Sequence, residues 1–306
     1  MLPVAAPPPA LVIFDTDMGN DVDDALALAV LHSLVSKGQC RLLAVTITRP
    51  DPLSARFVDA VNTFYGRGDI PIGVLRSPKK PEPAPYLKVA EKLPHDIDPE
   101  KALDAVDLLR KTLTAQADGS VTLVQVGFFT NFARLLDSPA DRELLKKKVK
   151  LLSVMAGAFQ TIDFNNRFCE YNVTQDIPSA QRLVKDWPTP IVWGGFEIGY
   201  ALRYPRRSIA QDFSYSPNHP IPQAYNIYCQ PNEDRPCWDL ASALYGVLPD
   251  SDYFSLSPPG QVTVEGDGFT RFAPKAGGRD RFLILDPLRH ARTLEALVQL
   301  TSQPPK

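Results

Sequence analysis

LVIFDTDMGNDVDDALALAV, residues 11–30, sets an apolar run against five aspartates: Asp15, Asp17, Asp21, Asp23 and Asp24. The run 11–14 reads as a buried strand, and an apolar helix follows from about Val22, with Asp21 placed to cap it. Carboxylates are favoured in the first turn of a helix, but that accounts for only one or two of the five. Crowded like charges at the end of a strand raise one another's pKa or recruit a cation. An all-oxygen set suits a hard ion, Ca²⁺ or Mg²⁺. The C-terminal end of a strand is also where open α/β sheets place their ligands.

Outward from this stretch, apolar runs at 42–48, 70–75, 121–127, 151–157 and 190–196 read as further strands. Helical spacing falls between them, at 55–65, at 101–117, after Thr130 and from near Pro178. This β-then-α alternation predicts an α/β fold, an open mostly parallel sheet with helices on both faces. After Arg203 the chain reads as irregular and rich in Pro and aromatics. A helix over 238–245, a small antiparallel pair within 262–285 and a terminal helix follow. No repeat or linker divides residues 1–306, so one domain is expected, with 1–10 as a flexible tail. The Pro- and Lys-rich segment 76–99 reads as a mobile loop, with Tyr86 and His95 as candidate substrate contacts.

Polar residues fall just after the strand ends: Asp15, Asp17, Asp51, Thr130, Asn131, Glu170, Asn172 and Glu197. In an open sheet these positions face one crevice. The polar loop 165–172 adds Asn166 to the candidate substrate contacts.

A net charge of −2 gives no electrostatic argument for nucleic acid or an anionic membrane. No apolar run reaches the roughly 18–20 residues that span a bilayer. The start, MLPVAAPPPA, lacks the basic and apolar regions of a signal peptide. A cytoplasmic protein is the default, and a mature exported chain with an added Met is also compatible. Cys40, Cys169, Cys229 and Cys237 show no metal-site spacing. Buried free thiols are expected, with a Cys229–Cys237 bridge as the alternative.

An EF-hand loop counted from Asp15 fails, because its fifth position is Gly19 and its twelfth Leu26. A haloacid-dehalogenase-type phosphatase also starts with a strand and Asp-x-Asp, but without a second Asp pair entering the helix. DTDMGNDVDDALAL instead resembles the nucleoside hydrolase signature, Asp-x-Asp-x-Gly followed by Asp-Asp-Ala, with two extra residues before the final pair. Val126-Gly127-Phe128-Phe129-Thr130-Asn131 resembles that family's Gly-x-x-Thr-Asn element, and Glu170-Tyr171-Asn172 its Glu-x-Asn segment. Trp238-Asp239 falls where the family has its last metal-binding Asp. The matches keep the family order over about residues 11–245.

The resemblance implies a calcium-dependent hydrolase that cleaves the N-glycosidic bond of ribonucleosides. Asp17, Asp24, Asp239 and the Val126 carbonyl would hold Ca²⁺, and Asp17 would also be the catalytic base. Asp23, Glu170 and Asn172 would hold the ribose; apart from the resemblance, the aromatic face of Trp238 suits stacking on a purine. It also implies a homo-oligomer, dimer or tetramer. Two departures stand out. Trp238 occupies the place of a histidine that protonates the leaving base in many members, and Arg49-Pro50-Asp51-Pro52 replaces a Gly-Asn after the second strand. Two other classes remain: a calcium- and ribose-binding protein with little turnover, and the phosphatase, for which Glu265-Gly266-Asp267-Gly268 imitates a late acidic motif.

Overall fold

The computed structural model describes residues 8–77 and 81–305. Residues 1–7 of the expected tail and 78–80 of the expected loop lie outside the described part. Seven strands form the parallel body of the sheet: β1 (Ala10–Thr16), β2 (Cys40–Ile47), β3 (Ile72–Val74), β4 (Leu103–Asp104), β5 (Val121–Gln125), β6 (Val149–Met155) and β7 (Ile191–Gly194). Their spatial order is β7-β6-β5-β1-β2-β3-β4. The chain runs outward from β1 to β4, then returns to the other side of β1 as β5. That reversal opens a crevice at the C-terminal ends of β1 and β5, the ligand position of open parallel sheets.

The side chains of β1 alternate between two cores. Val12 and Phe14 join the apolar cluster on one face of the sheet, and Ile13 joins the cluster on the other. The helix α1 (Asp23–Ser36) is apolar around its whole circumference and buried over twelve of its residues, as a helix enclosed on all sides must be. His32 lies within it, stacked on Tyr65 and paired with Asn62 Oδ1 at 2.8 Å. Burial pushes its pKa down to about 3. It is a packed histidine.

Two short strands, β8 (Arg203–Tyr204) and β9 (Arg235–Pro236), pair with each other outside the main sheet. Then β10 (Ser255–Leu256), β11 (Gly260–Val264), β12 (Thr270–Pro274) and β13 (Asp280–Ile284) extend the main sheet beyond β7. β11 and β12 form the expected antiparallel pair, while β13 runs parallel to β7. No described helix is long and apolar enough to cross a membrane.

Two expectations are corrected. Segment 76–99 does not read out as an unpacked loop: Pro85–Lys92 forms a 3₁₀ helix that buries Tyr86, Leu87, Val89 and Ala90. The stretch after Arg203 is also more regular than its composition suggests, with helices Arg206–Gln211 and Pro220–Tyr228. Pro220 sits in the first turn of the second of these, where its missing N–H costs nothing, and His219 caps it by accepting the Ile221 N–H.

Candidate active site

The loop after β1 delivers Asp17, and α1 begins with Asp23 and Asp24. Helix Trp238–Val247 packs against α1 and brings in Asp239. Asp23, Asp24 and Asp239 each place one oxygen within 4.8 Å of the others. The Asp239 N–H donates to Asp23 Oδ2 at 3.1 Å, and the Thr16 hydroxyl donates to Asp24 Oδ1. Asp17 Oδ2 and Asp24 Oδ2 are buried with no hydrogen-bond partner among the described residues.

Burial pushes the pKa values of Asp17, Asp23, Asp24 and Asp239 well above the carboxylate range, and repulsion among these groups and Asp21 adds to it. Buried, unpartnered carboxylate oxygens are costly unless something offsets them. A hard cation does so, and the donor set, all oxygen and anionic, fits one. The triple contains Asp23, and Asp17 lines the same cavity.

Asp15, only two residues from Asp17, is not in the cavity. Its carboxylate accepts from the Thr46 hydroxyl and from Asn131 Nδ2 at 2.9 Å, and its backbone carbonyl accepts the Val126 N–H at 2.7 Å. It thereby fixes the end of β5. There the Val126 carbonyl accepts from Asn172 Nδ2 at 2.8 Å, which leaves a second lone pair for another partner. Gly127 is required at this crossing. A Cβ there would lie 2.5 Å from the Asp17 backbone nitrogen and 2.4 Å from Thr48 Oγ1. Gly127→Ala should therefore cost about 1–3 kcal/mol of stability, read as a lowered unfolding midpoint; an unchanged midpoint would show the approach to be slack.

The cavity at the strand ends has a volume of about 470 Å³. Asp17, Asp23, Asp24, Val126, Glu170, Asn172, Trp238 and Asp239 all line it. Glu170 is 2% exposed and caps the short helix Tyr171–Gln175. Its carboxylate accepts the N–H groups of Asn172 (2.9 Å), Gly157 (3.1 Å) and Val173 (3.3 Å), and burial pushes its pKa up to about 7. Trp238 Nε1 donates to the Phe196 carbonyl at 2.9 Å, and its ring packs 5.1 Å from that of Phe196. Its hydrogen is committed, so Trp238 lines the cavity without a free donor.

Several expected contacts lie elsewhere. Asn166 is exposed and lines a different cavity, beside Phe269 and Thr270. Tyr86 is fully buried beneath the aspartate loop, where its hydroxyl accepts the Gly19 N–H at 2.7 Å and donates to the Asp21 carbonyl at 2.6 Å. It shapes that loop and cannot reach a ligand. His95 Nδ1 pairs with the Leu93 carbonyl, away from the cavity lining. Asp51 caps helix Pro52–Phe64, the Thr130 hydroxyl donates to Asp176, and Glu197 accepts the Phe159 N–H. Polar residues after strand ends thus divide between this cavity and the capping of helices and loops.

Val22 holds the cap position of the helix that starts at Asp23, but Asp21 Oδ1 accepts the N–H groups of Val22 (2.6 Å) and Asp23 (3.3 Å), and the same carboxylate pairs with Arg235. The four cysteines are free; Cys40, Cys229 and Cys237 are buried, while Cys169 is partly exposed and lines the cavity. Glu265 and Asp267 sit at the β11–β12 turn, paired with Arg167, and do not imitate a phosphatase site. Sequence reading missed Asn20, Phe168, Phe196, Tyr228 and Arg235, which also line the cavity, as do Met155, Tyr171 and Thr174.

The model of the family described as inosine-uridine preferring nucleoside hydrolase matches residues 12–271. The chain is 28% identical over 214 residues to an uncharacterised protein of Schizosaccharomyces pombe, the alignment covering 65% of each. It is 29% identical over 202 residues to the pyrimidine-specific ribonucleoside hydrolase RihA of a Shewanella species, covering 61% of this chain and 59% of that protein. These alignments span less than two thirds of the curated relatives' own length. A solved plant nucleoside hydrolase, the PpNRh1 enzyme, superposes with a TM-score of 0.78 over 97% of this chain and 100% of that one, at 21% identity. That likeness is one of fold.

Proposed function

We propose, from the premise that the chain belongs to the inosine-uridine preferring nucleoside hydrolase family, that it hydrolyses the N-glycosidic bond of ribonucleosides with the help of one Ca²⁺. The observation that carries this reading is the mixed lining of the cavity. Four buried carboxylates, Asp17, Asp23, Asp24 and Asp239, and the aromatic residues Phe168, Phe196, Tyr228 and Trp238 line the same space. A sugar diol suits the first set and a base plane the second. The volume is that of a small-molecule site.

Asp17, Asp24, Asp239 and the Val126 carbonyl would hold the ion. Bound there, it supplies a grip on the ribose diol and a lowered pKa for water. Asp23 accepts hydrogen bonds from the ribose hydroxyls. Asp17 takes the proton of the attacking water, whose oxygen bonds to C1′ as the C1′–N bond breaks and its electrons leave on the base. Glu170 and the neighbouring carboxylates stabilise the positive charge that develops on the sugar.

Elemental analysis of protein purified without added metal should find one Ca²⁺, and a chelator should lower the unfolding midpoint by re-exposing the carboxylates to one another. Zinc in its place, or no divalent ion together with no stabilisation by added calcium, would overturn the metal assignment. A panel of inosine, uridine and a nitrophenyl riboside, read as released ribose, tests the reaction.

A further inference from the structure

The chemistry above leaves one cation in the cavity wall unused. Arg235 comes from β9, lines the cavity, and is 18% exposed. Its Nε donates to Asp21 Oδ1 at 2.9 Å, and its Nη2 pairs with Asp21 Oδ2. Nη1 donates to Glu233 Oε1 at 2.9 Å. Nη2 also donates to the Tyr228 hydroxyl oxygen at 3.3 Å. The guanidinium carbon lies 5.0 Å from the Tyr228 ring centroid and 5.5 Å from that of Trp238. Arg235 is thus gripped on one side by carboxylates and stands between the two aromatic residues on the other.

Asp21 belongs to the stretch between Gly19 and the Asp23–Asp24 pair, where this chain carries its two extra residues. The lengthened loop therefore reaches across the fold to hold an arginine 214 positions away. A two-pronged carboxylate–guanidinium pair fixes orientation as well as distance, which a lysine cannot do. A phenol oxygen that accepts a bond from a cation must turn its own hydrogen elsewhere. Tyr228 lines the cavity, so that hydrogen is available to an acceptor within it.

We propose that Arg235, clamped by Asp21, is a positioning residue that aims the Tyr228 hydroxyl at the leaving base and braces the face of Trp238 beside it. The inference rests on the nucleoside hydrolase reading and extends it to the base half of the site. As the C1′–N bond breaks, the bonding electrons stay on the base. Tyr228 donates a hydrogen bond to the base atom that gains charge and keeps its proton, and the base takes its proton from solvent. Asp21 contributes by holding Arg235, without itself touching the substrate.

The test compares kcat/KM on inosine with kcat/KM on a nitrophenyl riboside, whose departure needs no donor. Arg235→Gln should raise the ratio of activated to natural substrate by about 10- to 10²-fold, the worth of one charge-assisted hydrogen bond. Tyr228→Phe, which keeps the ring and its packing, should raise it by a similar factor. The double variant should be no worse than either single one, since the arginine acts through the tyrosine. Equal losses on both substrates, or losses that add in the double variant, would overturn the proposal. A wild-type protein that cleaves neither substrate would overturn the hydrolase reading itself, and this inference with it.

Discussion

Asp17→Asn is expected to lower nucleoside turnover by roughly 10²-fold or more. Asparagine keeps the shape of the side chain but cannot take a proton, and it brings no charge to an ion. The site gives it little room to compensate: Asp17 is 2% exposed, and its Oδ2 has no protein partner that could substitute. Asp51→Asn is the control, because Asp51 caps a helix outside the cavity and should affect stability more than turnover. If Asp17→Asn turned over nucleosides at near wild-type rates, another group would have to be the base.

The second large effect concerns the leaving group. Ribosides that leave without protonation should react at least about 10²-fold faster than inosine or uridine, since a general acid is typically worth about 10²- to 10⁴-fold. None of the described histidines lines the cavity: His32 and His219 are buried in packing, His95 pairs with the Leu93 carbonyl and His290 with the Ala201 carbonyl. Trp238 offers a stacking face only, because Phe196 takes its N–H. Tyr228 is a poor acid, its pKa pushed up first by burial and then by Asp21. Trp238→Ala should weaken binding of natural nucleosides, while His95→Ala should change little. Loss of natural-nucleoside activity in His95→Ala, with the activated riboside unaffected, would contradict this account.

The central half of the molecule was legible in the sequence because its physics is local. A short apolar run bounded by turn residues is the pattern of a strand buried on both faces, and β1 is one. Five aspartates at its end cannot all be caps, and four of them, Asp17, Asp21, Asp23 and Asp24, line the cavity. Tyr86 was misread because Pro and Lys around it suggest solvent. Its burial is decided by contact with the aspartate loop, which leaves no periodic trace in so short a segment. Asn166 was misread for the opposite reason: proximity in sequence to Glu170 and Asn172 does not survive a loop that turns back at Asp163 and Phe164, both at positive φ.

The base half was least visible. Arg235 and Tyr228 come from a stretch whose prolines mask helix Pro220–Tyr228, although proline in a first turn is compatible with a helix. The Arg235–Asp21 pair joins residues that no local pattern connects. The packing of helix Trp238–Val247 on α1 brings Asp23 and Asp239 together, and helix Pro220–Tyr228 packs on the same α1 and on Pro85–Lys92.

The most direct measurement is ribose release from inosine and uridine by protein stripped of divalent ions, followed as calcium is added back. The account predicts little release without calcium and a saturable return of ribose and free base in equal amounts, reached with one Ca²⁺ per chain. Release that ignores the chelator, or none at any calcium concentration, would contradict it.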